Sequence, residues 1–163
     1  RAKRHGIPYM YHPRLPYRSE GELAREQYDA DLAKMMSLYP VDLIAMAGWM
    51  HIFSRAFLKH YPSQVINIHP ALSGTFPGLH AIERAYRAYQ EGEIEETGVM
   101  VHYAPPDEGV DEGPLVEQRR VPIHPDDTLE DLEARIHAVE HELYVHCIAK
   151  LLGVSLDPSA QAG

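Results

Sequence analysis

The stretch Val65-Ile66-Asn67-Ile68-His69-Pro70 decides how this sequence folds and where its chemistry lies. Its β-branched apolar residues predict a buried strand, and Pro70 ends that strand because proline cannot donate to a ladder of hydrogen bonds. Alternation places Asn67 and His69 on the same side, at the carboxyl end of the strand, where open α/β sheets bind ligands. An amide donor beside an imidazole suits oxyanion stabilisation and proton transfer. A strand-end Asn and a half-buried His with purely structural hydrogen bonds explain the pattern equally well.

Apolar runs typical of strands alternate with helical segments along the rest of the sequence. The patterns predict strands at 7–11, 41–47, 64–68, 98–104 and 115–121, and helices at 19–38, 54–60, 79–90 and 128–152. Capping boxes are expected at Ser19 with Glu22 and at Thr128 with Asp131. The alternation predicts an α/β domain with a mostly parallel sheet flanked by helices. No helix separates the last two strands, which favours an antiparallel pair there.

The two ends of the sequence differ from its middle. Residues 1–6 are basic and finish in Gly6, a pattern typical of the last turn of a helix. We therefore expect a single domain over 1–153 that is incomplete at its N-terminus. Residues 154–163 are expected to form a frayed tail.

Composition excludes several classes of function. The 163 residues carry a formal net charge of −9, which argues against a nucleic-acid partner because binding to phosphate backbones needs clustered Lys and Arg. The single cysteine, Cys147, excludes an internal disulfide and a cysteine-rich zinc site. No apolar stretch approaches the length of a membrane span, and no signal sequence opens the chain. We expect a cytoplasmic protein without a membrane partner.

Two further motifs carry titratable side chains. The acidic loop 107–113 holds Asp111, a carboxylate able to orient an imidazole or relay a proton through water, although a solvated turn is the simpler interpretation of its other acids. Residues 137–141 match the zinc pattern H-x-x-E-H, but a third protein ligand is missing downstream, so we expect no metal. His137 and Glu140 then either reach toward a polar ligand or form a wetted helix face. Glycine-rich phosphate loops and a nucleophile elbow are absent.

Five short segments, taken in order, resemble the phosphoribosylglycinamide formyltransferase family. They are VDLIAMAGWM (41–50), INIHPAL (66–72), FPGLH (76–80), GVDEGP (109–114) and EHELY (140–144). The resemblance covers almost the whole chain and implies a Rossmann-like fold. It also implies that a strand and a phosphate-binding turn precede the segment that begins at Arg1.

The resemblance implies a reaction and its catalytic residues. A formyl group passes from 10-formyltetrahydrofolate, the co-substrate, to the amine of glycinamide ribonucleotide in purine biosynthesis. No metal and no covalent enzyme adduct are involved. Asn67 and a cationic His69 stabilise the oxyanion, while Asp111 holds His69 and helps to move the proton of the amine.

The resemblance also implies two sets of binding residues. The folate set is Arg25, Met50, His51, Ile52, Phe53, Asn67, Asp107, Glu108, Gly109, Val110 and Asp111. The nucleotide set is Pro70, His137 and Glu140. The expected partners are therefore small molecules, bound by a monomer or a homodimer.

Two alternatives remain open at this point. The segment 112–118 also resembles formyltetrahydrofolate deformylase, in which water replaces the amine. A non-catalytic folate-binding fragment is the other alternative. Methionyl-tRNA formyltransferase is disfavoured by the acidic net charge.

Overall fold

The computed structural model is a four-stranded sheet flanked by helices. The structure describes residues 1–17, 21–107 and 109–156, with 21–23 described by their backbone alone. The strands are β1 (Ile44–Met46), β2 (Val65–His69), β3 (Glu96–Tyr103) and β4 (Leu115–Pro122). The helices are α1 (Gly21–Met36), α2 (Arg55–Leu58), α3 (Ala81–Gln90) and α4 (Leu129–Leu152), with short 3-10 turns at Ala2–His5 and Leu15–Tyr17. The predicted α/β class is confirmed.

The sheet is mixed, with the strand order β1-β2-β3-β4. β1 and β2 are parallel, whereas β2–β3 and β3–β4 are antiparallel, the last as predicted. The β2–β3 register sets Met100 opposite His69, so β3 begins beyond the carboxyl end of β2. The ten-residue helix α3 therefore returns the chain to this same edge, and β3 runs back along β2.

Three local predictions change in detail. Residues 7–11 form no strand, because Pro8 removes a ladder donor and the neighbouring Tyr9 and Tyr11 are exposed. The strand predicted over 41–47 is confined to β1. The helix predicted over 19–38 is α1, and Ser19 of its expected capping box lies outside the described residues.

The predicted helix ends are confirmed where the structure describes them. Gly6 has φ 67° and follows the first 3-10 turn as its left-handed cap. Thr128 and Asp131 form the expected capping box at the start of α4. Residues 157–163 of the expected tail lie outside the described residues.

Two apolar clusters hold the layers together. One packs α3 and α4 against the sheet through residues that include Ile66, Val101 and Leu143. The other packs α1 and α2 beside β1 and includes Tyr28 and Phe57. No helix in the described part of the chain combines the length and the apolar character needed to cross a membrane.

Candidate active site

A cavity of about 1030 Å³ opens at the carboxyl ends of β1 and β2. Its wall is built from the segment after β1, the end of β2, the loop before α3, the loop after β3 and one face of α4. This is the edge at which the sequence places Asn67 and His69, and both residues line the cavity. The volume is sufficient for a ligand of cofactor size.

Asp111 lies at the centre of a buried polar cluster on this wall. Its Oδ1 lies 3.2 Å from Asn67 Nδ2 and 3.3 Å from His102 Nε2. Its Oδ2 accepts a hydrogen bond from the backbone N–H of Gly78 at 2.9 Å and lies 3.2 Å from His69 Nδ1. The side chains of both histidines and of Asp111 are at most 8% exposed. Of the three residues predicted to be catalytic, Asn67 and His69 thus both contact the third, Asp111.

Strand pairing and one tight loop bring this cluster together. The antiparallel register of β2 and β3 sets Asn67 directly opposite His102. The loop after β3 then turns back toward β2, with Asp111 in the left-handed region at φ 59°. Gly113 permits this return, because a Cβ there would lie 1.8 Å from the carbonyl oxygen of Tyr103.

The electrostatics of the cluster favour an ionised Asp111. Burial alone raises the pKa of its carboxyl group, but the hydrogen bonds from His102 and Gly78 and the nearby imidazoles lower the pKa to about 2. For His69, burial lowers the pKa, and the Asp111 carboxylate and the Phe76 carbonyl oppose that effect. The resting site therefore carries a fixed negative charge beside an imidazole whose pKa burial lowers.

The loop before α3 completes the shell around His69. The carbonyl oxygen of Phe76 lies 3.0 Å from His69 Nε2, and two residues later the Gly78 N–H donates to Asp111. Left-handed backbone at Phe76 (φ 47°), Gly78 (φ 80°) and His80 (φ 58°) turns these two groups toward the cluster. The loop thus offers an acceptor to the imidazole and a donor to the carboxylate.

The sequence is similar to those of formyl transferases. The sequence model of the formyl transferase family matches residues 1–148. This chain belongs to the formyl transferase family. It is 45% identical over 158 residues to phosphoribosylglycinamide formyltransferase of Schizosaccharomyces pombe, spanning 93% of this chain and 75% of that relative. It is 44% identical over 134 residues to the Dictyostelium discoideum enzyme of the same name, spanning 78% of this chain and 64% of the relative.

A solved structure extends the likeness to the fold. Glycinamide ribonucleotide transformylase 1 from Geobacillus kaustophilus superposes with a TM-score of 0.80 at 39% identity. The superposition covers 93% of this chain and 74% of that structure. The Rossmann-like arrangement expected from the resemblance is therefore confirmed.

Most of the predicted binding residues of this formyl transferase line the cavity. They are Met50, His51, Ile52, Phe53, Asn67, Pro70, Gly109, Val110, Asp111, His137 and Glu140. Arg25 on α1 and Asp107 are not among the lining residues, and Asp107 forms an ion pair with Arg55. Glu108 lies outside the described residues. The individual binding roles stay predictions.

A buried carboxylate fixes the segment that carries several of these residues. Asp29, on α1, is fully buried and lies 2.8 Å from His51 Nε2. Its other oxygen accepts from the backbone N–H of Ser54 at 2.6 Å. Both ends of the 51–54 segment are thus held against α1. This fixes the apolar side chains of the segment along one wall of the cavity.

The H-x-x-E-H face of α4 also turns toward the cavity. His137 Nδ1 and Glu140 Oε2 are 2.6 Å apart, and His141 lies beside them in the wall. Within 1–17, 21–107 and 109–156, no group of three or more His, Cys, Asp or Glu residues is arranged to hold a metal ion. The side-chain carboxylate of Glu140, 18% exposed, is available to accept hydrogen bonds from a ligand.

Two residues of the site were not anticipated from the sequence. His102 touches both Asn67 and Asp111, and only the strand register identifies it. Tyr144 donates to the carbonyl oxygens of Met46 at 3.0 Å and Ile66 at 3.2 Å, which joins α4 to the two strands that end at the cavity. The segment EHELY (140–144) contains Tyr144, but the sequence assigns this residue no role of its own.

Proposed function

We propose that this protein transfers the formyl group of 10-formyltetrahydrofolate to the amine of glycinamide ribonucleotide, a step of purine biosynthesis. The observation that carries the proposal is that Asn67 and His69 both contact Asp111 on the wall of a large cavity, in a member of the formyl transferase family. Among the described residues that line this cavity there is no serine, threonine, cysteine or lysine to serve as a nucleophile. This supports direct attack by the amine.

Asn67 and His69 are the groups placed to stabilise the oxyanion. The contacts of Asn67 Nδ2 with Asp111 and His102 are long, at 3.2 and 3.4 Å, so the amide can turn toward a developing negative charge at little cost. An oxyanion beside His69 also raises the pKa of the imidazole and favours its cationic form. The site then neutralises the tetrahedral intermediate as that intermediate forms.

We assign Asp111 to the transfer of the proton that the amine loses. As the new carbon–nitrogen bond forms, the amine loses one proton, which a water held by Asp111 passes to His69. The proton goes to N10 of the folate when the bond between N10 and the formyl carbon breaks. The ionised carboxylate orients the imidazole throughout and stabilises its cationic form.

The walls on either side of the cluster suit the two substrates. The apolar side chains of Met50, Ile52, Phe53 and Val110 line the cavity and suit the flat pterin ring. Glu140 and His137 approach from α4, where a carboxylate beside an imidazole suits the hydroxyl groups of a ribose. We propose that the protein acts in the cytoplasm, as a monomer or a homodimer, on small molecules alone.

The deciding experiment follows deformylation of a 10-formylfolate analogue in the full-length protein, with and without glycinamide ribonucleotide. Turnover that depends on the nucleotide supports the transferase. Turnover at the same rate without it refutes the transferase and supports a deformylase. Folate binding without either turnover leaves a non-catalytic binding protein.

A further inference from the structure

We propose that Arg84 is a positioning residue for this reaction, holding the 76–78 turn whose backbone supports both His69 and Asp111. The inference rests on the proposed function. Arg84 lies on α3 and is not among the residues that line the cavity. It therefore acts through the turn and not by contact with the substrates.

The contacts of Arg84 converge on a single stretch of backbone. Its Nη2 donates to the carbonyl oxygens of Phe76 at 2.7 Å and Pro77 at 2.6 Å, and its Nε lies 3.4 Å from the carbonyl oxygen of His80. The guanidinium carbon also lies 5.9 Å from the centre of the Phe76 ring. A planar, permanently charged group is suited to collect several carbonyl groups in this way.

The turn needs such an anchor because its backbone is strained. Phe76 at φ 47° and His80 at φ 58°, two residues beyond the turn, are left-handed without being glycine, a conformation that strains a residue with a Cβ atom. The carbonyl oxygens of Phe76 and Pro77 both approach one nitrogen of Arg84, and they would repel each other if no donor lay between them. The cation of Arg84 supplies that donor and offsets both costs.

Two backbone groups of the turn link Arg84 to the catalytic cluster. The Phe76 carbonyl oxygen contacts both Arg84 and His69 Nε2, and the Gly78 N–H donates to Asp111. If the turn relaxes, His69 loses an acceptor and Asp111 loses its closest donor together. Misplacement by about 1 Å at such groups costs about 100-fold in rate.

The test compares three variants of the full-length protein. In Arg84→Gln we expect kcat to fall about 100-fold, with the KM of either substrate changed by less than about threefold, because ground-state binding is not affected. Arg84→Lys keeps a cation that reaches the same carbonyl groups, and it should recover kcat to within about tenfold of wild type. Arg87→Gln, an exposed arginine of the same helix, is the matched control and should leave kcat unchanged.

A second readout does not depend on turnover. Hydrogen exchange of the Gly78 amide should be slow in wild type and in Arg84→Lys, and fast in Arg84→Gln, because only the last loses the anchor of the turn. If wild type shows no formyl transfer, the proposed function fails, and the Gly78 amide still decides the role of Arg84.

Three results would overturn the inference. One is an unchanged kcat in Arg84→Gln. Another is a defect confined to the KM of the nucleotide, which would make Arg84 a phosphate-binding residue. The third is a lysine variant as slow as the glutamine variant while its melting temperature equals that of wild type.

Discussion

Replacing Asp111 by asparagine tests the electrostatic role assigned to the buried cluster. The change keeps the size of the side chain but turns one acceptor into a donor, and each carboxylate oxygen already faces nitrogen groups of its neighbours. The environment lowers the pKa of Asp111 from 3.8 to about 2, and each unit corresponds to about 1.36 kcal/mol. The ionised form therefore contributes about 2.5 kcal/mol of stability at neutral pH.

The stability that the ionised Asp111 contributes depends on pH in a definite direction. A depressed carboxyl pKa stabilises the fold above the unfolded value near 4, and the contribution disappears as the pH falls through about 2. Urea denaturation should thus show the variant about 2.5 kcal/mol less stable at pH 7, with the difference shrinking below pH 4.

The kinetic arm uses the same variant. In Asp111→Asn we expect kcat to fall at least about 100-fold while folate binding stays nearly intact, because the residue moves a proton and holds His69. Equal losses of turnover and folate binding, or a variant as stable as wild type at pH 7, would contradict these roles of Asp111.

Three other buried side chains, His69, Asp29 and Tyr144, can be tested by titration or by substitution. The imidazole of His69 should titrate below its ordinary pKa of 6.5 because it is buried. Asp111→Asn should lower the midpoint of its NMR titration further, since the carboxylate favours the charged form. An upward shift would contradict the contact between His69 and Asp111. Replacing Asp29 by alanine should cost about 3–5 kcal/mol in urea denaturation, because it leaves the buried contacts of His51 without their partner. Tyr144→Phe should cost about 1–2 kcal/mol of unfolding free energy, because it removes the hydroxyl proton that the carbonyl oxygens of Met46 and Ile66 share, with kcat nearly unchanged.

The parts of the site that the sequence predicts are those that local rules determine. Alternation along β2 and the stop at Pro70 are enough to place Asn67 and His69 side by side. The capping box at Thr128 follows from two side chains three residues apart. Each of these features depends only on neighbours along the chain.

The parts that escape prediction depend on contacts between distant segments. His102 reaches Asp111 only because β3 pairs with β2 in one register, and no local pattern encodes that register. In the sequence, Arg84 is only one polar residue of a predicted helix. Its hydrogen-bond partners are carbonyl groups of a strained turn, which no local pattern identifies. The prediction of a strand at 7–11 is wrong, because it relied on the apolar residues of this segment and neglected the effect of Pro8 on strand pairing.

A crystal structure with a stable folate analogue and glycinamide ribonucleotide would show whether this cavity holds both substrates beside Asn67 and His69. We expect the pterin against the 50–53 wall, with N10 of the folate and the amine of the nucleotide each about 3–4 Å from the side chains of Asn67 and His69. A folate bound outside this cavity, or an amine on the far side of the folate from His69, would contradict it.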